Sequence, residues 1–311
     1  MKAVSLIGVP QWLGQTRYGT NLGPDALRYA GLVKRLNDLC GDIVDIGDIL
    51  ISHPTIRHSE PGLKNLRAIV ATNERLAARV AEVVEQQRFP LVLGGDHSIA
   101  IGSIAGVAKR YRNLGVIWYD AHADINTHET TPSGNIHGMP LAACLGVGHP
   151  ALVGIGGFQP KVRSEDIVFI GIRDIDPGER DLIRDKQLKV YTVSDIDRMG
   201  MDKVIEEAVG YLAERCDGIH LSFDLDGIDP CEMPGVGTPV CGGISLADSL
   251  VAMRALAATN RITSCEVVEL NPVLDKEQKA TIAAIDLVAA LFGATQTESI
   301  PSGIPKVSRA R

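Results

Sequence analysis

At 311 residues, with 45% hydrophobic and 22% charged side chains, the chain holds enough apolar material for a large core and lacks the signature of disorder. Its 31 Lys and Arg against 38 Asp and Glu leave a net charge of −7, so there is no broad basic field and nucleic acid is excluded as an expected partner. The six cysteines, Cys40, Cys144, Cys216, Cys231, Cys241 and Cys265, form no CxxC pair and read as reduced thiols. No apolar run reaches the roughly 20 residues of a membrane span, so the expected compartment is the cytoplasm.

The first ten residues contain a short apolar run without a small-residue cleavage site and read as a first strand, not a signal peptide. From there, short β-rich runs alternate with segments of helical period. Strands are expected over 3–9, 42–48, 91–95, 115–120, 167–171, 189–193, 218–224 and 262–269. Leu63, Leu66, Ile69, Val70, Leu76, Val80, Val83 and Val84 form one helical stripe, and 280–292 forms another. The alternation predicts a parallel sheet covered by helices. With neither repeat nor linker, residues 1–294 read as one domain. The polar tail 295–311, broken by Pro301 and Pro305, is either a frayed end or a subunit-bridging arm. Glycine-rich 154–157 and 235–237 lack the strand-to-helix setting of nucleotide-binding loops and read as ordinary loops.

Ligands of parallel sheets bind beyond the carboxyl ends of strands, and three strand ends carry chemistry. In Gly94-Gly95-Asp96-His97-Ser98, two glycines allow a sharp turn with His97 at the rim; alone it is an ordinary strand-ending histidine. In Asp120-Ala121-His122-Ala123-Asp124, three ligand-type side chains alternate with neutral ones, so an extended backbone would turn all three to one side. Asp224-Leu225-Asp226 repeats that pattern, while Asp229 before Pro230 is also a turn former. Asp120, Asp124, Asp224 and Asp226 in one crevice would repel strongly, and two divalent ions would cancel their charge. Carboxylates and imidazoles without thiolate suit Mn2+ better than structural zinc. Two such ions about 3.5–4 Å apart would bridge a water and lower its pKa toward neutrality. Asp120 and Asp224, the strand-proximal members, are the expected shared ligands.

The three blocks, in order and separation, resemble the metal-binding signature of the ureohydrolases, the arginase and agmatinase family. With Gly14-Gln15-Thr16-Arg17 and Gly23-Pro24, the likeness covers all but the tail and is closest to bacterial arginases. It implies a three-layer α/β/α sandwich with an eight-stranded parallel sheet, a trimer or hexamer, and two Mn2+ per subunit. His97, Asp120, Asp124 and Asp224 would hold one ion; Asp120, His122, Asp224 and Asp226 the other. The implied reaction is cleavage of L-arginine to ornithine and urea by metal-bridging hydroxide, with Asp124 passing a proton to the departing nitrogen.

By the same likeness Asn126, Ser133 and Asn135 would receive the substrate α-carboxylate and Asp176 its ammonium group, with Glu179 nearby and Thr238 completing the set. Glu269 is assigned a two-fold grip on the guanidinium, and His137 a proton shuttle. Plainer readings stand beside these: loop polarity for the asparagines and serine, a helix cap around Pro177 for Asp176 and Glu179, and a buried structural histidine for His137. His53, His58, His128, His149 and His220 have no comparable context and read as structural or solvent-facing. Agmatinase or another guanidino-acid hydrolase, and a catalytically silent metal-binding relative, are the competing functions.

Overall fold

A computed structural model describes residues 3–52 and 62–294. The tail, His53 and His58 lie outside the described residues. Among the described residues there are eight strands: β1 Val4–Val9, β2 Ile43–Asp48, β3 Phe89–Gly94, β4 Leu114–Tyr119, β5 Ile167–Ile170, β6 Lys189–Tyr191, β7 Gly218–Asp224 and β8 Ile262–Val268. Each falls on an expected run, with ends shifted by local chemistry. β6 stops at Tyr191 because Thr192 caps the next helix, its hydroxyl accepting from Asp195 N at 3.2 Å. β8 stops at Val268 because Glu269 turns left-handed at φ 66°.

The strands form a single parallel sheet in the order β2-β1-β3-β8-β7-β4-β5-β6. Central strands are buried on both faces, which is why they read as unbroken apolar runs. The edge strand β2 is half exposed, and its Asp45 and Asp48 take Arg28 at 2.8 and 2.6 Å. Such charge on an edge discourages pairing with another chain.

Among the described residues the helices are α1 Gly23–Tyr29, α2 Leu32–Cys40, α3 Leu66–Glu85, α4 Ala100–Ala108, α5 Pro140–Cys144, α6 Pro150–Val153, α7 Pro177–Asp185, α8 Val193–Met199, α9 Met201–Ala213, α10 Leu246–Thr259 and α11 Lys279–Leu291. Alternate strand residues choose the layer. Leu6, Leu91, Leu93, Ile117 and Leu221 pack with Leu27, Leu36, Leu212, Leu256 and Ile285 from α1, α2, α9, α10 and α11. Ile7, Val92, Val116, Trp118 and Phe169 face the other way, toward Leu76, Val80, Ile104 and Leu141 of α3, α4 and α5. The result is a three-layer α/β/α sandwich. Each fully buried Leu or Ile contributes about 1.5–3 kcal/mol, so the sheet is a rigid platform for what its edge carries.

Candidate metal centre and cleft

The chain runs β1 to β3 on one side, jumps to β4 on the other, and returns through β7 and β8 to fill the middle. That reversal of strand order opens a crevice above the carboxyl ends of β3, β8, β7 and β4. The loop after β3 presses so closely on the loop after β1 that a Cβ on Gly95 would stand 1.8 Å from Gln11 O. Asp96 then anchors the turn, accepting from Gly14 N at 2.8 Å and Ser98 N at 3.0 Å. His97 is thereby held over the sheet.

His97 Nδ1, fully buried, stands 3.1 Å from Asp120 Oδ2, 3.1 Å from Asp124 Oδ2 and 3.0 Å from Asp224 Oδ2. None of these three oxygens meets it in hydrogen-bond alignment. A second group forms beside it, with His122 Nδ1 3.4 Å from Asp120 Oδ1 and 3.2 Å from Asp226 Oδ2. Asp120 belongs to both groups, one oxygen to each. Asp224 offers Oδ2 to the first group, and its Oδ1 accepts from Asp226 N at 2.8 Å.

A nitrogen ringed by three carboxylate oxygens, off the axis of any of them, is how donors stand around a central cation. The donor set, oxygen and imidazole without thiolate, fits a divalent ion. In the absence of cations the electrostatics are costly. Burial and the charges of Asp226 and Asp120 hold Asp224 well above the ordinary carboxylate range. Burial and Asp120 raise Asp124 to about 6. Asp120 stays low, against its burial, because the His122 and His97 imidazoles stand beside its two oxygens. Bound dications would favour the ionised carboxylates throughout.

The convergence is reached differently from the expected extended backbone. β4 ends at Tyr119, Asp120 Oδ1 accepts from His122 N at 2.7 Å, and Asp124 is left-handed at φ 51°. Turns, rather than a continued strand, bring the three side chains together. Such strain in a non-glycine residue marks sites where the surroundings over-determine the backbone.

Beside the two groups opens a cleft of about 290 Å3. Asn126, Ser133, Asn135, Asp176, Glu179 and Thr238 line it, as do His122, Asp124 and His137. Asn126 spends an amide N–H on Asp176 Oδ2 at 2.8 Å, so it positions that carboxylate. Asn135 Oδ1 accepts from Lys64 Nζ at 2.8 Å and Thr16 Oγ1 at 3.2 Å, leaving its own amide N–H groups to donate elsewhere. The helix-cap reading of Asp176 and Glu179 holds together with their place in the cleft. Glu179 Oε2 accepts from Asp176 N at 2.9 Å at the start of α7, while Oε1 accepts from Ile125 N at 3.0 Å. Burial pushes Glu179 up to about 7. Thr238 Oγ1 donates to Asp226 Oδ2 at 2.8 Å, tying the cleft to the second ligand group.

Glu269 departs from its expected geometry. It is 1% exposed and is not among the residues lining the cleft. Oε1 accepts from His97 N at 2.9 Å and lies 3.2 Å from His137 Nδ1, and Oε2 accepts from Gln15 Nε2 at 2.8 Å. With both oxygens engaged inside the protein, this carboxylate holds His137 rather than presenting a free fork to a guanidinium. Burial would lower the pKa of His137, but the hydrogen bond and charge of Glu269 win and push it up to about 9.

Sequence reasoning missed several supports. Trp118 stacks on His97 with centroids 4.2 Å apart and donates to Asp120 Oδ2 at 2.9 Å. Arg173 clamps the carbonyls of Gly227, Asp226 and Val240 at 2.8–3.0 Å, fixing the loop after β7. Asp174 lines the cleft 3.9 Å from His122 Nε2; its alternation with Asp176 was a usable signal. The loop at 235–237 is no bystander, since Gly237 O accepts from Arg17 Nη1 at 2.7 Å. His220, read as structural or solvent-facing, is buried, with Nδ1 2.9 Å from Ser264 Oγ.

Sheet, crevice and donors together define an α/β/α protein with a candidate site for metal ions at the carboxyl edge of its strands. The arginase family profile matches residues 2–293. Arginase from Bacillus caldovelox is 57% identical over 295 residues, covering 94% of this chain and 99% of that one. The native structure of the Bacillus caldovelox arginase at pH 5.6 superposes with a TM-score of 0.92 at 56% identity, covering 96% of this chain and all of that one. Entamoeba histolytica arginase in complex with L-ornithine gives a TM-score of 0.88 at 37% identity, covering 94% of this chain and 100% of that one. The chain belongs to the arginase family and is a hydrolase.

Proposed function

We propose that this chain hydrolyses L-arginine to L-ornithine and urea at two divalent metal ions held by His97, Asp120, His122, Asp124, Asp224 and Asp226. The observation that carries the reading is the pair of ligand groups joined by Asp120, opening onto a cleft lined by carboxylates and amides. Bound there, two dications supply Lewis acidity and a nucleophile at neutral pH.

The chain's own residues supply the rest. Asp124 is both in the first ligand group and on the cleft wall, so its carboxylate can take a proton and deliver it to the nitrogen leaving the guanidinium carbon. His137, held by Glu269, exchanges protons between the cleft and bulk water. Glu269 is a positioning residue in this scheme, and any grip on the guanidinium passes through rearrangement of Gln15 or His137. Asn135 and Ser133 supply neutral donors to an α-carboxylate, and Asp176, steadied by Asn126, meets an α-ammonium. Arginine carries both of those groups; agmatine lacks the carboxylate.

Full-length similarity to arginases supports arginine over other guanidino substrates, as does the ornithine held by the Entamoeba enzyme. Manganese as the metal, a homo-oligomer, the cytoplasm and one catalytic domain over 1–294 belong to the same reading. Urea release from arginine and agmatine, measured side by side after chelation and again after Mn2+ is returned, tests it. The expectation is loss on chelation, recovery with Mn2+, and at least tenfold preference for arginine. Full turnover without metal, or agmatine turned over as well as arginine, sinks it.

A further inference from the structure

Behind His97, away from the cleft, a chain of buried polar groups crosses from β7 to β8. His97 Nε2 lies 2.7 Å from Ser222 Oγ, and Ser222 Oγ donates to Glu266 Oε1 at 2.7 Å. Ser222 and Glu266 are register partners in the two strands. The other Glu266 oxygen, Oε2, accepts from Ser103 Oγ of α4, and His220 Nε2 stands 3.4 Å from Oε1. Glu266, His97 and Ser222 are all 0% exposed. Glu266 does not line the cleft and takes no part in the reaction outlined above. A carboxylate in mid-sheet is costly to bury unless its hydrogen bonds are satisfied.

The proton count on Ser222 gives Glu266 a use. A serine hydroxyl has one proton. When that proton lies toward Glu266, Ser222 can only accept from His97, so Nε2 carries a hydrogen and, in the neutral ring that a metal ligand must be, Nδ1 is left as a lone pair. That lone pair points among Asp120, Asp124 and Asp224. In the reverse arrangement Ser222 donates to Nε2, Glu266 has to be protonated to satisfy the serine, and Nδ1–H blocks the same point. The charge on Glu266 and the tautomer of His97 are therefore linked.

We propose that Glu266, acting through Ser222, is a positioning residue that locks His97 in the metal-binding tautomer and sets the affinity of one of the two cation positions. The inference rests on the metal-pair reading. Its consequence is asymmetric: the relay touches His97 alone, so the position at His122 and Asp226 is spared. Loss of such an outer partner typically weakens metal binding about 10–100-fold.

The test uses the full chain, stripped with a chelator and titrated with Mn2+, free ion being followed by its paramagnetic resonance. Wild-type protein is expected to take up two ions. In Ser222→Ala and in Glu266→Gln one ion is expected to bind about 10–100-fold more weakly, while the other keeps its affinity. The double variant should be no weaker than Ser222→Ala alone, since Glu266 acts through the serine. Wild-type affinity at both positions in the variants, equal loss at both, or additive losses would overturn the relay. Wild-type protein that takes up no Mn2+ would instead overturn the metal pair, and the relay with it. Should Glu266→Gln not fold, Ser222→Ala decides alone, because it removes only a hydroxyl.

Discussion

Glu269 and His137 show how one contact reassigns a residue. A carboxylate at a strand end facing a guanidinium hydrolase suggests substrate binding, but its hydrogen bonds to His97 N, Gln15 and His137 make it a holder of the histidine. The pair has a pH signature in metal-free protein. His137 is raised from its usual value near 6.5 to about 9, so the folded state binds its proton more tightly than the unfolded chain. That stability is fully present below about pH 6.5 and is lost as pH rises through 9. Glu269→Gln is expected to flatten this slope and to lower stability near pH 6 by about 1–3 kcal/mol. Urea midpoints of metal-free protein at several pH values from 6 to 9.5 check it. An unchanged slope in the variant counts against the pairing.

At the scale of elements, the site depends on where turns interrupt strands and start helices. Gly95 sits where the loops after β1 and β3 touch, and a methyl there would lie 1.8 Å from Gln11 O. Backbone atoms cannot rotate away as a side-chain tip can. Gly95→Ala is expected to cost 3 kcal/mol or more of stability, at the upper end of overpacking effects, and to weaken Mn2+ binding by displacing His97. A denaturation curve matching wild type would refute the close approach. The start of α7 makes a second case. Glu179 caps the helix and also accepts from Ile125 N, next to Asp124. Glu179→Ala leaves a buried N–H unsatisfied, and a loss of about 1–3 kcal/mol is expected, with a raised KM for arginine and little change in Mn2+ stoichiometry.

For the whole molecule, the four clustered carboxylates would couple binding of the proposed metal ions to stability. Without cations, burial and the charge of Asp120 raise Asp124 to about 6, so ionising it in the folded state opposes folding as pH climbs from about 4 to 6. Metal-free protein should therefore lose stability across that window, and the gain from Mn2+ should be larger at pH 7.5 than at pH 5.5. At 100 times the dissociation constant, each ion adds about 2.7 kcal/mol. Melting temperatures with and without chelator at both pH values measure this; a gain independent of pH would argue against cations among these carboxylates.

The sequence alone determined much of this protein. Strands buried on both faces have to be apolar throughout, so their runs were visible, and alternation with helical stripes announced a parallel sheet before any packing was known. Ligand-type residues crowded at strand ends were equally legible, because His97, Asp120, His122, Asp124, Asp224 and Asp226 come in short blocks whose chemistry has few other uses. Tertiary structure alone decided what joins distant segments. Asp120 divides its oxygens between two groups, Glu269 faces inward, and Glu266 meets Ser222 across two strands. Trp118 reaches Asp120 and His97 only in the folded chain, and Gln15 lies 254 positions from Glu269. Residue type and local spacing encode an element and its exposed chemistry. Which oxygen meets which hydrogen depends on loop turns and strand order, and those are settled only when the whole sheet has assembled.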